Sequence, residues 1–541
     1  MIKSTQRYQS WYLIGGTFAF SFLGIAYLML LFIYEGDIQI AFNAFMKKDI
    51  LSYSAVIFSV FGGAYISFKL LYVVGGREPV VHLSGPIRLK GKSAEKHAKK
   101  KLNQSLQGDP IGAGIFLHPS VQISMRQELG NILVYGQQGS GKSTIIKPII
   151  NSIRHRDDKV FIYDRKNEYT QLFYDADSLL ISPFDMRGVQ WDLTNDVRNE
   201  QDALLIAECL IEETEDPLWS TGARLLLTGY QMILLNVNNE CSWYSLAGLL
   251  SQPEEQILPM LRKYYPQAAV FISEKSKTTQ GFLVTLMKEL HFLRQLRGVW
   301  RPSAIDMISV RCWVENNSTL PKTLILAHDE NSSELSHKIC NAMFSLMVSH
   351  TLALEDSNDR RIWFCLDELS SLRKNSSLEK WLRLGRSKGA RTIVGVQAIS
   401  QIREIYGNDV TETILNLFSN VIALRMGASG DSAKYASAAF GEHQIERQIL
   451  SRDDMGRYSV SHQVSYEPLV RPEDLVSLNY SSWGVSGFMS VQGWGSVYEM
   501  QWPFADIQII ADAVVKQKNI EGVNPYKEKK IGKNRLRRSR L

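Results

Sequence analysis

The densest chemistry in the chain lies in Gly136-Gln-Gln-Gly139-Ser140-Gly141-Lys142-Ser143-Thr144, which fits the pattern G-x-x-x-x-G-K-[ST] without departure. Glycines at this spacing let backbone N–H groups turn inward around phosphate oxygens. Lys142 is then placed to reach β- and γ-phosphates, and the Ser143 hydroxyl to hold Mg²⁺. Gly136, Gly139, Ser140, Gly141, Lys142, Ser143 and Thr144 are the candidate residues for holding ATP.

Hydrolysis in such a site needs an acid delivered by another buried strand. Ile362-Trp-Phe-Cys-Leu-Asp367-Glu368 is an apolar run ending in two carboxylates, as a central parallel strand reads. Alone, it could equally be a strand ending in a solvated acidic pair. Beside the full glycine motif, Asp367 is assigned to Mg²⁺ through water, and Glu368 to positioning and activating the attacking water. Gln397 follows the strand Thr392–Val396 and can face a γ-phosphate. Arg386 precedes that strand; it is either a plain surface arginine or a finger reaching a neighbouring subunit's phosphate. Arg425, after "FSNVIAL", is a lesser candidate, and Asp164, closing Val160–Tyr163, a supporting one.

These side chains need a frame. Ile132-Leu-Val-Tyr135 is the strand expected before the glycine loop, and Thr144 onward a helix whose N-terminal dipole faces the phosphates. Four apolar-periodic stretches, "DALLIAECLIEET", "GARLLLTGYQMILLNV", "SLAGLLSQPEEQILPMLRKYY" and "GFLVTLMKELHFLRQL", predict an all-helical domain over 197–315, inserted into an α/β domain. The expected organisation is 1–76 a membrane hairpin, 77–196 and 316–515 the two parts of the nucleotide-binding domain, and 516–541 a basic flexible tail. The insertion holds eleven Lys/Arg against fourteen Asp/Glu, which gives no case for DNA wrapping around it. A protein-facing surface and a lid both remain open.

Trp11–Tyr34 is an uncharged run of 24 residues, and Ser54–Val74 a second span with one charge, Lys69. Each can cross a hydrocarbon core of about 30 Å. The first run is too long for a signal peptide and no small-residue cleavage site follows it. Eight Lys/Arg against two Glu between Arg77 and Lys101 make a local +6, and Lys527–Arg540 a local +7. With a net charge of +6, the rest of the chain stands at −7, so the basic character is not that of a DNA-binding body. Basic flanks and a balanced loop, Glu35–Tyr53, place both ends in the cytoplasm, and the first cluster suits contact with anionic lipid. For the tail, a lipid or nucleic-acid contact and a merely solvated end both stand. The five cysteines are scattered, with no CxxC pair, which suits a reducing compartment.

The order of parts resembles the type IV secretion coupling proteins of the TraD/TrwB kind. The resemblance rests on "GQQGSGKS", "VFIYDRKNEY", "LISPFDMRGVQWDL", "DPLWSTGARLLLTGY", "CLDELSSL" and "LGRSKGARTIVGVQAISQI". It implies a RecA-like P-loop NTPase domain (α/β) with an inserted all-α domain, preceded by a two-helix transmembrane hairpin. It implies Lys142 and Ser143 on nucleotide and Mg²⁺, Asp367 and Glu368 as hydrolytic acids, Arg386 as trans finger and Gln397 as sensor. It further implies a DNA-stimulated inner-membrane ATPase: a homo-hexamer that receives a relaxase–DNA complex, moves single-stranded DNA through its centre and meets the secretion channel. The longer members carry an acidic carboxyl-terminal extension that mediates partner docking, where this sequence reads Arg535-Leu-Arg-Arg-Ser-Arg540. Two other classes compete: a membrane receptor using nucleotide for ring assembly and recruitment, and an FtsK-like chromosome pump. The helical insertion and the absence of a long linker argue against the pump. No LSGGQ-like signature supports an ABC-type ATPase.

Overall fold

The computed structural model of the chain describes residues 80–516 apart from 108–111, 273–275, 301–306, 316–318, 429 and 453–457, together with parts of 19–65. Both expected membrane spans fall largely outside the described residues, and the basic tail beyond Lys516 does so entirely. Among the described residues no helix is long and apolar enough to cross a membrane. Two compact units are present, one formed by 1–85 with 443–467 and the other by the remainder.

In the first unit Val81–Ser84, Glu442–Arg452 and Tyr458–Pro468 form a three-stranded sheet. Val81–Ser84 runs antiparallel to the second strand. Arg447 pairs with Glu467 at 2.8 Å and His462 with Glu446 at 3.1 Å across the two long strands. In the sequence this hairpin falls within 316–515, the expected second part of the nucleotide-binding domain. Its alternating polar pattern does not reveal that its partner strand lies some 360 residues earlier.

The second unit is built on an eleven-stranded sheet. Seven parallel strands come in the order Asn420–Ala423, Ile132–Tyr135, Ala390–Val396, Ile362–Leu366, Lys159–Asp164, Thr323–Ala327 and Ser178–Ile181. Beyond Asn420–Ala423, Gly484–Ser490 and Ser496–Pro503 continue the sheet antiparallel, Ile87–Lys90 closes that edge, and the short strand Tyr480–Ser481 pairs antiparallel with the start of Gly484–Ser490. The central strands read as unbroken apolar runs because helices cover both faces.

Side-chain alternation sorts each strand between two cores. Ile132, Val134, Trp363 and Cys365 face one core, with Ile145, Ile146, Ile149 and Ile150 of the helix Lys142–His155. Leu133, Tyr135, Phe364 and Leu366 face the other, shared with the helices Ser333–Ala353 and Ser376–Leu384 and with the inserted helices. That insertion includes Glu200–Leu210, Pro217–Asn238, Trp243–Leu249, Glu254–Tyr264, Lys277–Glu289 and Leu293–Val299. Its two ends are pinched together where Gln190–Trp191 pairs in parallel with Met307–Ile308. The buried Asp196 carboxylate locks this neck, accepting from Trp191 Nε1 and Ser309 Oγ at 2.6 Å and from the Val310 and Arg311 backbones at 2.9 and 2.8 Å. Lys338 is buried on the other side of the insertion, where it meets Glu289 Oε2 at 2.7 Å.

Candidate functional site

The register of the parallel strands brings their carboxyl ends to one line. Val396 lies beside Tyr135, and Leu366 beside both Val394 and Tyr163. The next residue along each chain is therefore Gly136, Gln397, Asp367 or Asp164, all at the same edge. The Gly136 N–H donates to the Val396 carbonyl at 3.0 Å, and the Gln137 N–H to the Arg425 carbonyl at 3.0 Å, so both flanking strands hold the loop.

The loop turns through Gly139 and Gly141, at φ +73° and +93°, a region where a Cβ is strained. Lys142 is buried and folds its Nζ back on the Gly136 carbonyl at 2.7 Å. Burial lowers the Lys142 pKa, against the opposing pull of Glu368 and Asp367. Ser140 is also buried, its Oγ without a partner among the described residues. Thr144 lies in the first turn of the helix, its N–H donating to the Gly141 carbonyl at 3.0 Å.

Across the cleft, Asp367 accepts from Ser143 Oγ at 3.3 Å and from Tyr169 Oη at 3.0 Å. Glu368 is buried and accepts from Ser370 Oγ at 3.0 Å and from the Gln397 backbone at 3.4 Å, both on Oε1. Its Oε2 has no partner among the described residues. Burial raises the Glu368 pKa, with Lys142 the largest opposing influence. The Gln397 side chain lines the same cleft as both acids.

Asp164 supports the site at one remove. Its Oδ2 accepts from the Thr170 N–H at 2.6 Å and from Thr170 Oγ1 at 2.8 Å, holding the start of the helix Glu168–Phe173. That helix carries Tyr169 to Asp367. Sequence reasoning misses Tyr169, because nothing local in "VFIYDRKNEY" marks the role of its last tyrosine. Gly395 was missed too, although a glycine within a strand often marks close backbone approach. A Cβ there would lie 2.1 Å from the Asp367 carbonyl and 3.4 Å from Lys142 Cδ.

Arg386 is not in this cleft. It is exposed on the short turn Gly385–Lys388, before the strand whose far end carries Gln397. Seven residues of strand put them roughly 20 Å apart. Arg386 lines a separate open groove with Arg126, Gln127 and Trp494. Arg425 follows the strand Asn420–Ala423; its carbonyl holds the loop and its Nε is buried without a partner among the described residues. No group of three or more His, Cys, Asp or Glu suited to a metal occurs among the described residues.

The family model of the type IV secretion-system coupling protein DNA-binding domain matches residues 116–492. The chain belongs to this coupling-protein family. Coupling protein TraD of Escherichia coli (strain K12) is 27% identical over 323 residues, which is 59% of this chain and 44% of that protein. The chain thus spans less than half the length of this curated relative. In fold the coupling-protein chain is similar to the bacterial conjugative coupling protein TrwBdeltaN70, with a TM-score of 0.68 and 21% identity over 82% of this chain and 98% of that one. A structure of TrwB in complex with ADP and Mg²⁺ gives a TM-score of 0.66 at 21% identity, covering 82% and 99%. These likenesses agree on a RecA-like α/β fold carrying a helical domain.

Proposed function

We propose that this chain is the ATP-hydrolysing coupling protein of a conjugative type IV secretion system. In this reading the two amino-terminal spans anchor it in a bacterial inner membrane with both termini cytoplasmic. A homo-hexamer receives a relaxase–DNA complex and drives single-stranded DNA through its centre to the secretion channel. The observation that carries the reading is the pairing of Ser143 with Asp367 at 3.3 Å beside a buried Glu368 with one unpartnered oxygen. Membership of the coupling-protein family and a relative named coupling protein TraD supply the context.

The residues fit a nucleoside triphosphate and Mg²⁺. Ser140 Oγ is an orphaned donor in the loop. A Cβ at Gly136 would lie 2.2 Å from that same Oγ, so a side chain there would displace the Ser140 hydroxyl from the cradle. Lys142 Nζ satisfies itself on loop carbonyls that a phosphate can replace. Ser143 and Asp367 would hold Mg²⁺, which supplies charge neutralisation on the β- and γ-phosphates. Tyr169 and Ser143 both donate to Asp367 Oδ1, which fixes the carboxylate beside the Ser143 hydroxyl. Glu368 Oε2 takes a proton from the attacking water. Its raised pKa makes it a better base than an exposed glutamate. Gln397 lines the same cleft, and the bond from its backbone N–H to Glu368 Oε1 would let it report hydrolysis of the γ-phosphate.

Turnover of the chain with and without single-stranded DNA, across a salt series, tests the proposal. The expected result is stimulation that falls steeply as salt rises, because phosphate contacts release counterions. Turnover indifferent to DNA at low salt would favour a receptor that uses nucleotide for ring assembly and recruitment.

A further inference from the structure

The order of strands gives a bound nucleotide a direction. Asp367, Glu368 and Gln397 all end strands on one side of the loop strand Ile132–Tyr135. A triphosphate whose terminal group meets those residues must send its base toward the other side, past Asn420–Ala423. There the sheet continues as Gly484–Ser490 and Ser496–Pro503, and the end at which Gly484 meets Pro503 and the short strand Tyr480–Ser481 carries an exposed cluster of aromatic rings.

That cluster adjoins the glycine loop. Val485 packs on Gly141 so closely that a Cβ on the glycine would lie 2.4 Å from Val485 Cγ1. Tyr480 is the cross-strand partner of Val485, and Trp502 its partner on the opposite flank. Directly opposed residues project to one face with Cβ atoms about 5 Å apart, so Tyr480 stands on the loop-helix face beside Val485. Phe504 packs its ring 5.6 Å from that of Tyr480, and its N–H donates to the Trp483 carbonyl. Large aromatic rings are ordinarily covered, yet Tyr480 is 53% exposed, Phe504 44% and Trp483, at the hairpin tip, 81%. An open aromatic surface beside a phosphate loop, on the side away from the hydrolytic acids, has the chemistry to stack a planar base.

We infer that Tyr480 and Phe504, with Trp483 at their rim, form the platform on which the purine base of the bound nucleotide rests. The inference depends on the nucleotide reading of the glycine loop and assigns the other half of that ligand. All three rings are exposed, so their replacement leaves the core intact.

The test is calorimetric titration of the full chain with ADP and with inorganic tripolyphosphate, which carries the phosphates and no base. Base–aromatic stacking corresponds to a loss of about tenfold in ADP affinity for Tyr480→Ala or Phe504→Ala. Tripolyphosphate affinity should be unchanged in both variants, and Tyr480→Phe should bind ADP as the parent does. Trp483 fluorescence should respond to ADP but not to tripolyphosphate, a response missing in Trp483→Phe. Unaltered ADP affinity in both alanine variants overturns the platform, as does equal loss of both ligands. Lys142→Ala separates the two levels: it should weaken both ligands. If both still bind normally, the nucleotide reading of the loop fails rather than the platform alone.

Discussion

The wholly buried Glu128 carboxylate accepts from Arg391 Nε at 3.0 Å, joining the helix Met125–Glu128 to the start of the strand Ala390–Val396, which Gln397 follows. Arg156, just past the helix that follows the glycine loop, grips the same carboxylate at 2.6 and 3.0 Å. Arg391 Nη1 donates in turn to the Gly389 carbonyl at 2.8 Å, closing the turn that displays Arg386. Asp158 extends the network to Arg156, Arg361 and Trp363.

Removing one member of such a buried set strands its partner's charge, at a cost of about 3–5 kcal/mol. Glu128→Ala should therefore lower the unfolding free energy extrapolated from urea titration by that amount, with a correspondingly lower midpoint at unchanged slope, and Glu128→Gln by less. A midpoint unchanged in Glu128→Ala would show the network to be dispensable.

Glu368→Gln keeps the shape of the site and removes its proton acceptor. Hydrolysis should fall about 10²–10⁴-fold, the usual contribution of a positioned acid or base. ADP affinity should stay close to that of the parent. Parallel loss of binding and turnover would instead mean that Glu368 shapes the site without taking the proton.

Much of this site was legible because its signals are local. The glycine loop, Lys142, Ser143, Asp367, Glu368 and Gln397 each sit in a short stretch whose residue types carry the chemistry. Their meeting at one edge follows from parallel strands, which leave all their carboxyl ends together. Glu128 and Arg391 were not legible, because 263 residues separate them and neither stands in a motif. Tyr169 acts by one hydroxyl aimed at Asp367, a direction no spacing encodes. The pairing of Glu442–Arg452 with Val81–Ser84 was not legible, because strand pairing over long separations leaves only weak traces in sequence.

Asp164 gives a pH-dependent prediction. Burial pushes its carboxyl up to about 6, against two hydrogen bonds from Thr170. Between the ordinary carboxylate range and that value, the folded chain keeps a proton that the unfolded chain has lost. Stability therefore falls as pH rises through this window, and the full cost persists above it. Asp164→Asn retains an oxygen for Thr170 and carries no charge. The variant should be more stable than the parent by on the order of 2 kcal/mol at about pH 8, with the difference vanishing near about pH 4. Denaturant midpoints at both pH values measure it. A pH-independent difference would assign the effect to packing rather than to charge.

The distance between Arg386 and its own Gln397 makes the finger testable by mixing. An arginine at the amino end of a strand cannot serve a phosphate at the carboxyl end of the same strand, so any catalytic role must be exercised on a neighbouring copy. Arg386→Ala alone should abolish hydrolysis while leaving ADP affinity intact, since nothing in its own cleft changes. Glu368→Gln alone should also be inactive, but it still presents a finger. In mixed rings some Arg386→Ala protomers, whose acids are intact, receive the arginine of a Glu368→Gln neighbour. Turnover should then reappear and reach its maximum at intermediate ratios. Rings mixed from Arg386→Ala and Lys142→Ala should recover in the same way, because those defects also fall in different sites. Mixtures that stay inactive at every ratio, with ring formation verified by sedimentation, would remove Arg386 from the reaction.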